Sequence, residues 1–214
     1  MPVDIMERIR EVGLVPVVRA ASADEALAAV EAIRAGGIPI LEITLTVPGA
    51  IEIIRELARR IGDEALIGAG TVLDADTAKE CIDAGAKFIV SPALDIPTIH
   101  LCRRLVVPVF AGALTPTEIL TAWKAGANAV KVFPANAVGG ASYLKSIKAP
   151  LPQIELLPTG GVNLKTAAEF IQAGAFALGV GADLVDLAAL RRGDAAAITE
   201  KARQYVSAVA AARA

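Results

Sequence analysis

One lysine of this sequence lies where a positive charge is hard to accommodate. Lys131 is in the middle of the apolar run Ala129–Pro134, which has the pattern of a buried β-strand. Moving a charged ammonium out of water costs several kcal/mol unless another group compensates. Burial therefore favours the neutral amine, which is a nucleophile. Lys131 is the first candidate for a catalytic residue.

Glu42 and Arg19 also lie in apolar runs that have the pattern of a buried strand. Side chains alternate along a strand, so the aliphatic neighbours of Lys131 and of Glu42 should face covering helices. Lys131 and Glu42 should then face inward, with Arg19 near the end of its own run. A buried Lys131–Glu42 ion pair with only a structural role is the alternative, but such pairs are weak evidence for stability.

The elements that must position these residues repeat along the whole chain. Each apolar run is followed by a helical pattern, as in parallel sheets covered on both faces. We predict an α/β fold, a (β/α)8 TIM barrel with an N-terminal helix, as a single domain over residues 1–214. An open doubly wound sheet is the alternative, although the first run lacks a dinucleotide-type glycine loop. The predicted strands are Leu14–Arg19, Pro39–Thr46, Ala65–Thr71, Lys87–Pro92, Val107–Ala113, Ala129–Pro134, Ile154–Thr159 and Ala177–Gly181.

The predicted helices carry end signals. They include Asp24–Ala35, Ala50–Ile61, Thr77–Ala84, Thr117–Ala125 and Thr166–Ala173. Four helical patterns end in Ala-Gly just before a strand, at Ala35, Ala84, Ala125 and Ala173, where glycine can form the left-handed cap. Ser22 and Thr115, each followed three residues later by glutamate, resemble capping boxes.

Two glycine-rich segments follow the last two predicted strands, Pro158–Asn163 and Gly179–Leu184. Active sites of (β/α)8 barrels lie at the carboxyl ends of the strands, and the loops after strands seven and eight often bind phosphate through backbone N–H groups. We therefore expect Lys131, Glu42 and Arg19 to converge beside a phosphate site.

Composition excludes several functions. The net charge of −2 over 214 residues is too balanced for a nucleic-acid surface, and no apolar run is long enough to span a membrane. His100 is the only histidine, which rules out a multi-histidine metal site, and we expect it on a helix surface. Cys81 and Cys102 fit reduced structural thiols. We expect a cytoplasmic protein with no metal ion and no other cofactor.

Six ordered motifs across nearly the whole chain resemble the class I 2-dehydro-3-deoxy-6-phosphogluconate (KDPG) / 4-hydroxy-2-oxoglutarate aldolase family. They are Leu41-Glu-Ile-Thr-Leu-Thr46, Gly68-Ala-Gly-Thr-Val72, Phe88-Ile-Val-Ser-Pro92, Leu114-Thr-Pro-Thr-Glu118, Val130-Lys-Val-Phe-Pro134 and Leu157-Pro-Thr-Gly-Gly-Val162.

The resemblance implies a function and a set of roles. The reaction would be cleavage of KDPG to pyruvate and glyceraldehyde 3-phosphate, with Lys131 forming the Schiff base and Glu42 moving protons as general acid and base. Arg19 would bind the substrate carboxylate. The remaining matched residues would bind the substrate: Thr71, Pro92 and Phe133 at pyruvate, and Thr159, Gly160, Gly161, Gly181 and Ala182 at the distal phosphate end.

The chain departs from the family pattern in three places. Thr46 occupies a position where some members have arginine, and Ala182 replaces a serine, which removes one hydroxyl donor to phosphate. Ala111 replaces a common proline, and Leu105-Val-Val replaces a more polar, glycine-containing helix end, which suggests an interface or an engineered surface.

Several functions stay open. The galactonate epimer or unphosphorylated 4-hydroxy-2-oxoglutarate could be the substrate. An aldolase-derived trimeric scaffold with little activity and a phosphate-binding isomerase barrel are the alternatives from other classes. The resemblance also implies a homotrimer, or a larger assembly that contains it.

Overall fold

The computed structural model describes residues 4–214, in which strands and helices alternate. The strands are β1 (Leu14–Val18), β2 (Ile40–Thr44), β3 (Leu66–Gly70), β4 (Ile89–Val90), β5 (Val109–Ala113), β6 (Ala129–Val132), β7 (Leu156–Pro158) and β8 (Leu178–Val180). The helices are α1 (Ile5–Val12), α2 (Ala23–Ala35), α3 (Ala50–Ile61), α4 (Ala75–Asp83), α5 (Ile96–Arg104), α6 (Pro116–Ala125), α7 (Gly140–Lys148), α8 (Ala167–Gln172), α9 (Leu187–Arg191) and α10 (Ala195–Arg213).

The strands form a nearly closed parallel barrel. Hydrogen-bonded neighbours run in the order β7-β6-β5-β4-β3-β2-β1-β8. A single parallel bridge between Thr159 and Gly179 joins the two ends of this order. The predicted (β/α)8 barrel is therefore confirmed, α1 is the predicted N-terminal helix, and the open doubly wound sheet is ruled out.

The ladders end earlier than the apolar runs. Except for β5, every strand stops one or two residues before the predicted end. The residues left over stand at the carboxyl-terminal mouth, just beyond the ends of the strands. They include Arg19, Thr71, Pro92, Phe133 and Thr159, all candidate site residues.

Helix ends follow the predicted signals with one correction. At each of the four Ala-Gly helix ends, one glycine has the left-handed conformation, and these glycines are Gly37, Gly85, Gly126 and Gly174. Thr115 and Glu118 form a complete capping box at α6. Ser22 caps α2, but the Glu25 carboxylate accepts from the N–H of Ala21 rather than of Ser22, because Arg191 draws it outward at 2.7 Å.

Alternate strand residues pack into two separate cores. Val130 and Val132 belong to the large outer core beneath the helices. The smaller inner core fills the amino-terminal end of the barrel and includes Phe88, Phe110 and Phe176. Inside the barrel, therefore, apolar side chains occupy one end and leave the other end to polar groups.

The remaining expectations concern the surface and the cysteines. Among residues 4–214, no helix is long and apolar enough to cross a membrane. His100 is exposed on α5, as predicted. Cys81 and Cys102 are fully buried and unbridged, and burial raises the pKa of each thiol to about 11, which keeps both thiols protonated near neutral pH.

Candidate active site

Lys131 and Glu42 meet inside the barrel. The Nζ of Lys131 lies 3.4 Å from Oε1 of Glu42, and the two side chains are 3% and 0% exposed. The second carboxylate oxygen, Oε2, is buried and has no hydrogen-bond partner in the structure. A buried carboxylate oxygen without a hydrogen bond is costly in a folded protein, so Oε2 is the oxygen of this pair that is available to water or substrate.

Two glycines make room for this pair. A Cβ on Gly70 of β3 would collide with the carboxylate of Glu42, which leaves no space for any side chain there. A Cβ on Gly112 of β5 would collide with the backbone of Pro92, and Gly112 is the register partner of Lys131. Glycine at both positions thus brings Glu42 over β3 and Pro92 beside the lysine.

Thr71 follows Gly70 in an unusual backbone conformation. Its φ is 60°, in the left-handed region that β-branched residues rarely adopt. Such strained residues cost about 1–3 kcal/mol and cluster at functional sites. Thr46, two residues past the end of β2, has a hydrogen-bond partner instead, because its hydroxyl lies 2.7 Å from the hydroxyl of Thr44.

A cavity of about 340 Å3 opens at the carboxyl-terminal mouth. Phe133 links it to the Lys131–Glu42 pair, since it lines the cavity while Lys131 Nζ lies 5.6 Å from the centre of its ring. The wall facing Phe133 comes from β1 and from the loops after β7 and β8. The lining comprises Val17, Arg19, Phe133, Thr159, Gly160, Gly161, Val162, Asn163, Gly179, Gly181, Ala182 and Asp183.

This cavity offers donors without protein partners. The Thr159 hydroxyl is buried and has no hydrogen-bond partner. Arg19 is exposed and makes no ion pair with the described residues. Gly160 and Gly161 both have positive φ, and side chains at Asn163 and Thr166 donate to the carbonyl of Gly161, which fixes this turn. Such a nest of backbone N–H groups near a cation suits an anion.

The structure divides the predicted site residues into two groups. Arg19, Phe133 and Thr159 share the cavity, together with Gly160, Gly161, Gly181 and Ala182. Lys131, Glu42, Thr71 and Pro92 lie outside its lining. The first group surrounds the cavity at the mouth. In the second group, Lys131 and Glu42 lie inside the barrel, and Thr71 and Pro92 lie just past the ends of β3 and β4.

Sequence reasoning missed three contributors. Gly112 looked like an ordinary strand residue, although a glycine inside an aliphatic strand is itself a signal of close backbone approach. Asn163 and Asp183 were quoted only as parts of glycine-rich segments, yet both line the cavity. Within residues 4–214, no group of three or more His, Cys, Asp or Glu side chains is placed to hold a metal ion.

The barrel buries a lysine against a carboxylate, and the mouth above them suits an anion. This arrangement is typical of an enzyme whose lysine amine attacks a carbonyl. Residues 5–201 match the model of the family described as KDPG and KHG aldolase. The chain therefore belongs to the KDPG and KHG aldolase family, whose members are carbon–carbon lyases.

Individual relatives agree with this assignment. The KHG/KDPG aldolase of Escherichia coli K12 is 34% identical over 193 residues, 90% of each chain. The 2-dehydro-3-deoxy-6-phosphogalactonate aldolase of the same organism is 38% identical over 172 residues, covering 80% of this chain and 83% of the relative. The crystal structure of KDPG aldolase from Legionella pneumophila, with pyruvate captured as a covalent carbinolamine intermediate, has a TM-score of 0.87 at 31% identity and covers 95% and 98% of the two chains.

Proposed function

We propose that this protein is a class I aldolase that cleaves 2-dehydro-3-deoxy-6-phosphogluconate into pyruvate and glyceraldehyde 3-phosphate. The observation that carries the proposal is the buried contact of 3.4 Å between Lys131 Nζ and Glu42 Oε1, with Oε2 unpaired. A structural pair would satisfy both carboxylate oxygens, whereas a catalytic one needs an oxygen free for water or substrate.

The first half of the reaction forms a covalent bond. The neutral amine of Lys131 attacks C2 of the 2-keto acid to give a carbinolamine, which loses water to give an iminium ion. Glu42 donates the proton that lets the hydroxyl leave as water and thereby becomes the base for the next step. Its position beside Nζ places it within reach of this hydroxyl, directly or through one water molecule.

The second half breaks the carbon–carbon bond. Glu42 takes the proton of the C4 hydroxyl, and the C3–C4 electron pair moves toward the iminium, which leaves an enamine and releases glyceraldehyde 3-phosphate. Protonation of C3 restores an iminium, and addition of water frees pyruvate and the Lys131 amine. The iminium is the electron sink throughout, so the chemistry balances with the lysine, one carboxylate and water.

The cavity supports the placement of the substrate. Thr71, Pro92 and Phe133 would surround the pyruvate half near Lys131. The unpartnered Thr159 hydroxyl would bind a substrate hydroxyl, and the N–H groups of Gly160, Gly161, Gly181 and Ala182 would hold the phosphate. Arg19 borders the same loops because β1 pairs with β8, so its charge would serve a substrate anion.

Product analysis tests this function. Incubation with KDPG should yield pyruvate and glyceraldehyde 3-phosphate in equal amounts, and the matched variant Lys131→Met should yield neither above background. Turnover that persists in Lys131→Met, or a purified protein with no turnover of any 2-keto-3-deoxy acid, would rule out the proposal and leave the trimeric scaffold as the better account.

The galactonate epimer is a second candidate substrate, because one aldolase named for that epimer is 38% identical to this chain. The epimers differ in configuration at C4, where the Thr159 hydroxyl would bind. Comparison of kcat/KM for the two phosphosugar acids and for 4-hydroxy-2-oxoglutarate assigns the preference, and Thr159→Val should reduce discrimination between the epimers.

We also propose that the protein forms a homotrimer. Membership of the family and the exposure of two apolar side chains, Leu73 at 60% and Val106 at 87%, support an assembly. Light scattering should report the mass of three chains, and a monomer mass at micromolar concentration would contradict this.

A further inference from the structure

An acidic residue stands beside the proposed phosphate site. Asp183 directly follows Ala182, in the loop between β8 and α9, and it lines the cavity. A carboxylate a few ångströms from a phosphate would repel it, so its presence in an anion-binding loop needs an explanation. The explanation lies in the direction of the side chain.

Both carboxylate oxygens of Asp183 are engaged by helix α10. The hydroxyl of Tyr205 donates to Oδ2 over 2.6 Å, and Nζ of Lys201 lies 3.4 Å from Oδ1. Lys201 and Tyr205 are four residues apart and therefore share one face of α10. Tyr205 is fully buried, and burial together with the hydrogen bond to Asp183 raises the pKa of its hydroxyl far above the ordinary value, so it stays a donor.

Two backbone N–H groups of the same loop are unpaired. The β8 ladder with β1 ends at Val180, whose partner is Pro16. Beyond it, the N–H groups of Leu184 and Val185 both donate to the carbonyl of Gly181, each over 3.0 Å. Among residues 4–214, no acceptor is found for the N–H groups of Ala182 and Asp183. The side chain of Asp183 thus anchors a segment whose free donors can meet an anion.

We propose that Tyr205 and Lys201, acting through Asp183, are positioning residues that hold the loop after β8 in its anion-binding conformation. The proposal rests on the proposed function, since it says what fixes the phosphate end of the substrate. Ala182 has no hydroxyl that could donate to phosphate. A loop backbone that is held in place compensates for this loss of affinity, because it loses less conformational entropy when phosphate binds. None of the three side chains touches Lys131 or Glu42, so the carbon–carbon chemistry should not depend on them.

The variant Tyr205→Phe removes the hydroxyl and keeps the ring. We expect KM for KDPG and the inhibition constant of inorganic phosphate to rise together, by roughly 3- to 10-fold, because a hydrogen bond to a charged group is lost but acts only through the loop. We expect kcat to change less than twofold. The rate at which pyruvate is trapped on Lys131 by borohydride should stay unchanged, since pyruvate has no phosphate end.

Two controls separate positioning from general stability. Thr199→Val removes a hydrogen bond of 2.9 Å from the same helix to the carbonyl of Ala32, which is not part of the loop, and should leave KM unchanged despite a similar loss of thermal stability. The second control, Asp183→Ala, removes the acceptor of the same hydrogen bond and should match Tyr205→Phe.

Calorimetric titration with inorganic phosphate gives a readout that does not need turnover. The proposal is overturned if wild-type protein binds no phosphate, if Tyr205→Phe binds it as tightly as wild type, or if Thr199→Val weakens binding equally. A lower KM in Asp183→Ala with no effect of Tyr205→Phe would also overturn it, because Asp183 would then act by repelling the anion. Failure of the aldolase function would instead appear as absent cleavage and absent pyruvate trapping in the wild type.

Discussion

The two ends of the barrel interior differ in the kind of side chain that fills them. At the amino-terminal end, Phe88 and Phe110 stack with ring centroids 5.5 Å apart, and Phe176 packs edge-on against Phe110 at 6.3 Å. Ile9 of α1 covers this cluster, and the guanidinium of Arg10 lies 4.9 Å from the centre of the Phe176 ring. The three rings and Ile9 are buried among apolar neighbours, which stabilises the fold.

At the carboxyl-terminal end, the same strands carry groups that the protein leaves unsatisfied. Glu42 Oε2 and the Thr159 hydroxyl are buried without partners, and Thr71 keeps a strained φ of 60°. These features cost stability, and nothing in the fold requires them. The comparison teaches that the amino-terminal end closes the barrel, while the carboxyl-terminal end is shaped for a ligand.

The largest effect should come from Glu42→Gln at the mouth. The amide keeps the size of the side chain but cannot exchange protons, so kcat for KDPG cleavage should fall about 10²- to 10⁴-fold. Steady-state kinetics with a coupled assay for pyruvate measures this loss. Glu155→Gln changes a half-buried carboxylate below the barrel that pairs with Arg10 at 3.0 Å, and this matched control should keep full activity. An equal loss of kcat in both variants would contradict the assignment of proton transfer to Glu42 at the carboxyl-terminal end.

The opposite end should respond in stability instead. Phe110→Ala leaves a cavity between Phe88 and Phe176 and should lower the free energy of unfolding by about 3–5 kcal/mol. Urea titration measures the loss. The folded variant should still cleave KDPG with kcat within a few-fold of wild type, and a stable but inactive Phe110→Ala would show that the apolar end also shapes the site.

The buried pair itself should be dispensable for folding. The double variant Lys131→Met/Glu42→Leu replaces two desolvated charges with apolar groups of similar size, so it should be inactive yet as stable as wild type, or up to about 4 kcal/mol more stable. Urea titration again gives the comparison, with each single variant as reference. A double variant that is clearly less stable than wild type would make the pair structural.

The smallest effect concerns a strained residue below the barrel. Val106 has φ 57° at the end of α5, where its N–H donates to Arg103 and that of Val107 donates to Cys102, a helix-capping pattern that favours glycine. Val106→Gly should therefore raise the free energy of unfolding of the dissociated chain, measured by urea titration, by about 1 kcal/mol without changing KM.

The matched change at the mouth is Thr71→Gly. It relieves a similar backbone strain, but it should raise KM for the substrate because the Thr71 side chain would contact the pyruvate half. A Thr71→Gly variant with wild-type KM would contradict a contact between the Thr71 side chain and the substrate.

The alternation of side chains was enough to predict which way the key residues point. Leu41 and Ile43 pack outward, and Glu42 between them faces Lys131 across the barrel. The strand ends were predicted less well, because apolar residues continue past the last ladder bond into the mouth. A period-two pattern contains no information on where the hydrogen bonds stop.

Contacts between distant segments could not be predicted from the sequence. That Gly70 makes room for Glu42 depends on the register of β2 and β3, and that Asp183 binds Tyr205 depends on how α10 docks. Neither follows from local spacing. The substrate was predicted from the family resemblance rather than from the residues, which define only a carbonyl nucleophile beside an anion-binding mouth.

The central claim is that Lys131 forms a Schiff base with a 2-keto acid, and borohydride trapping tests it most directly. The protein is incubated with pyruvate and sodium borohydride, digested, and the modified peptide is located by mass spectrometry. We predict one stable adduct, on Lys131, that is absent from Lys131→Met and forms more slowly in Glu42→Gln. An adduct on another lysine, or none at all in the folded protein, would contradict the assignment.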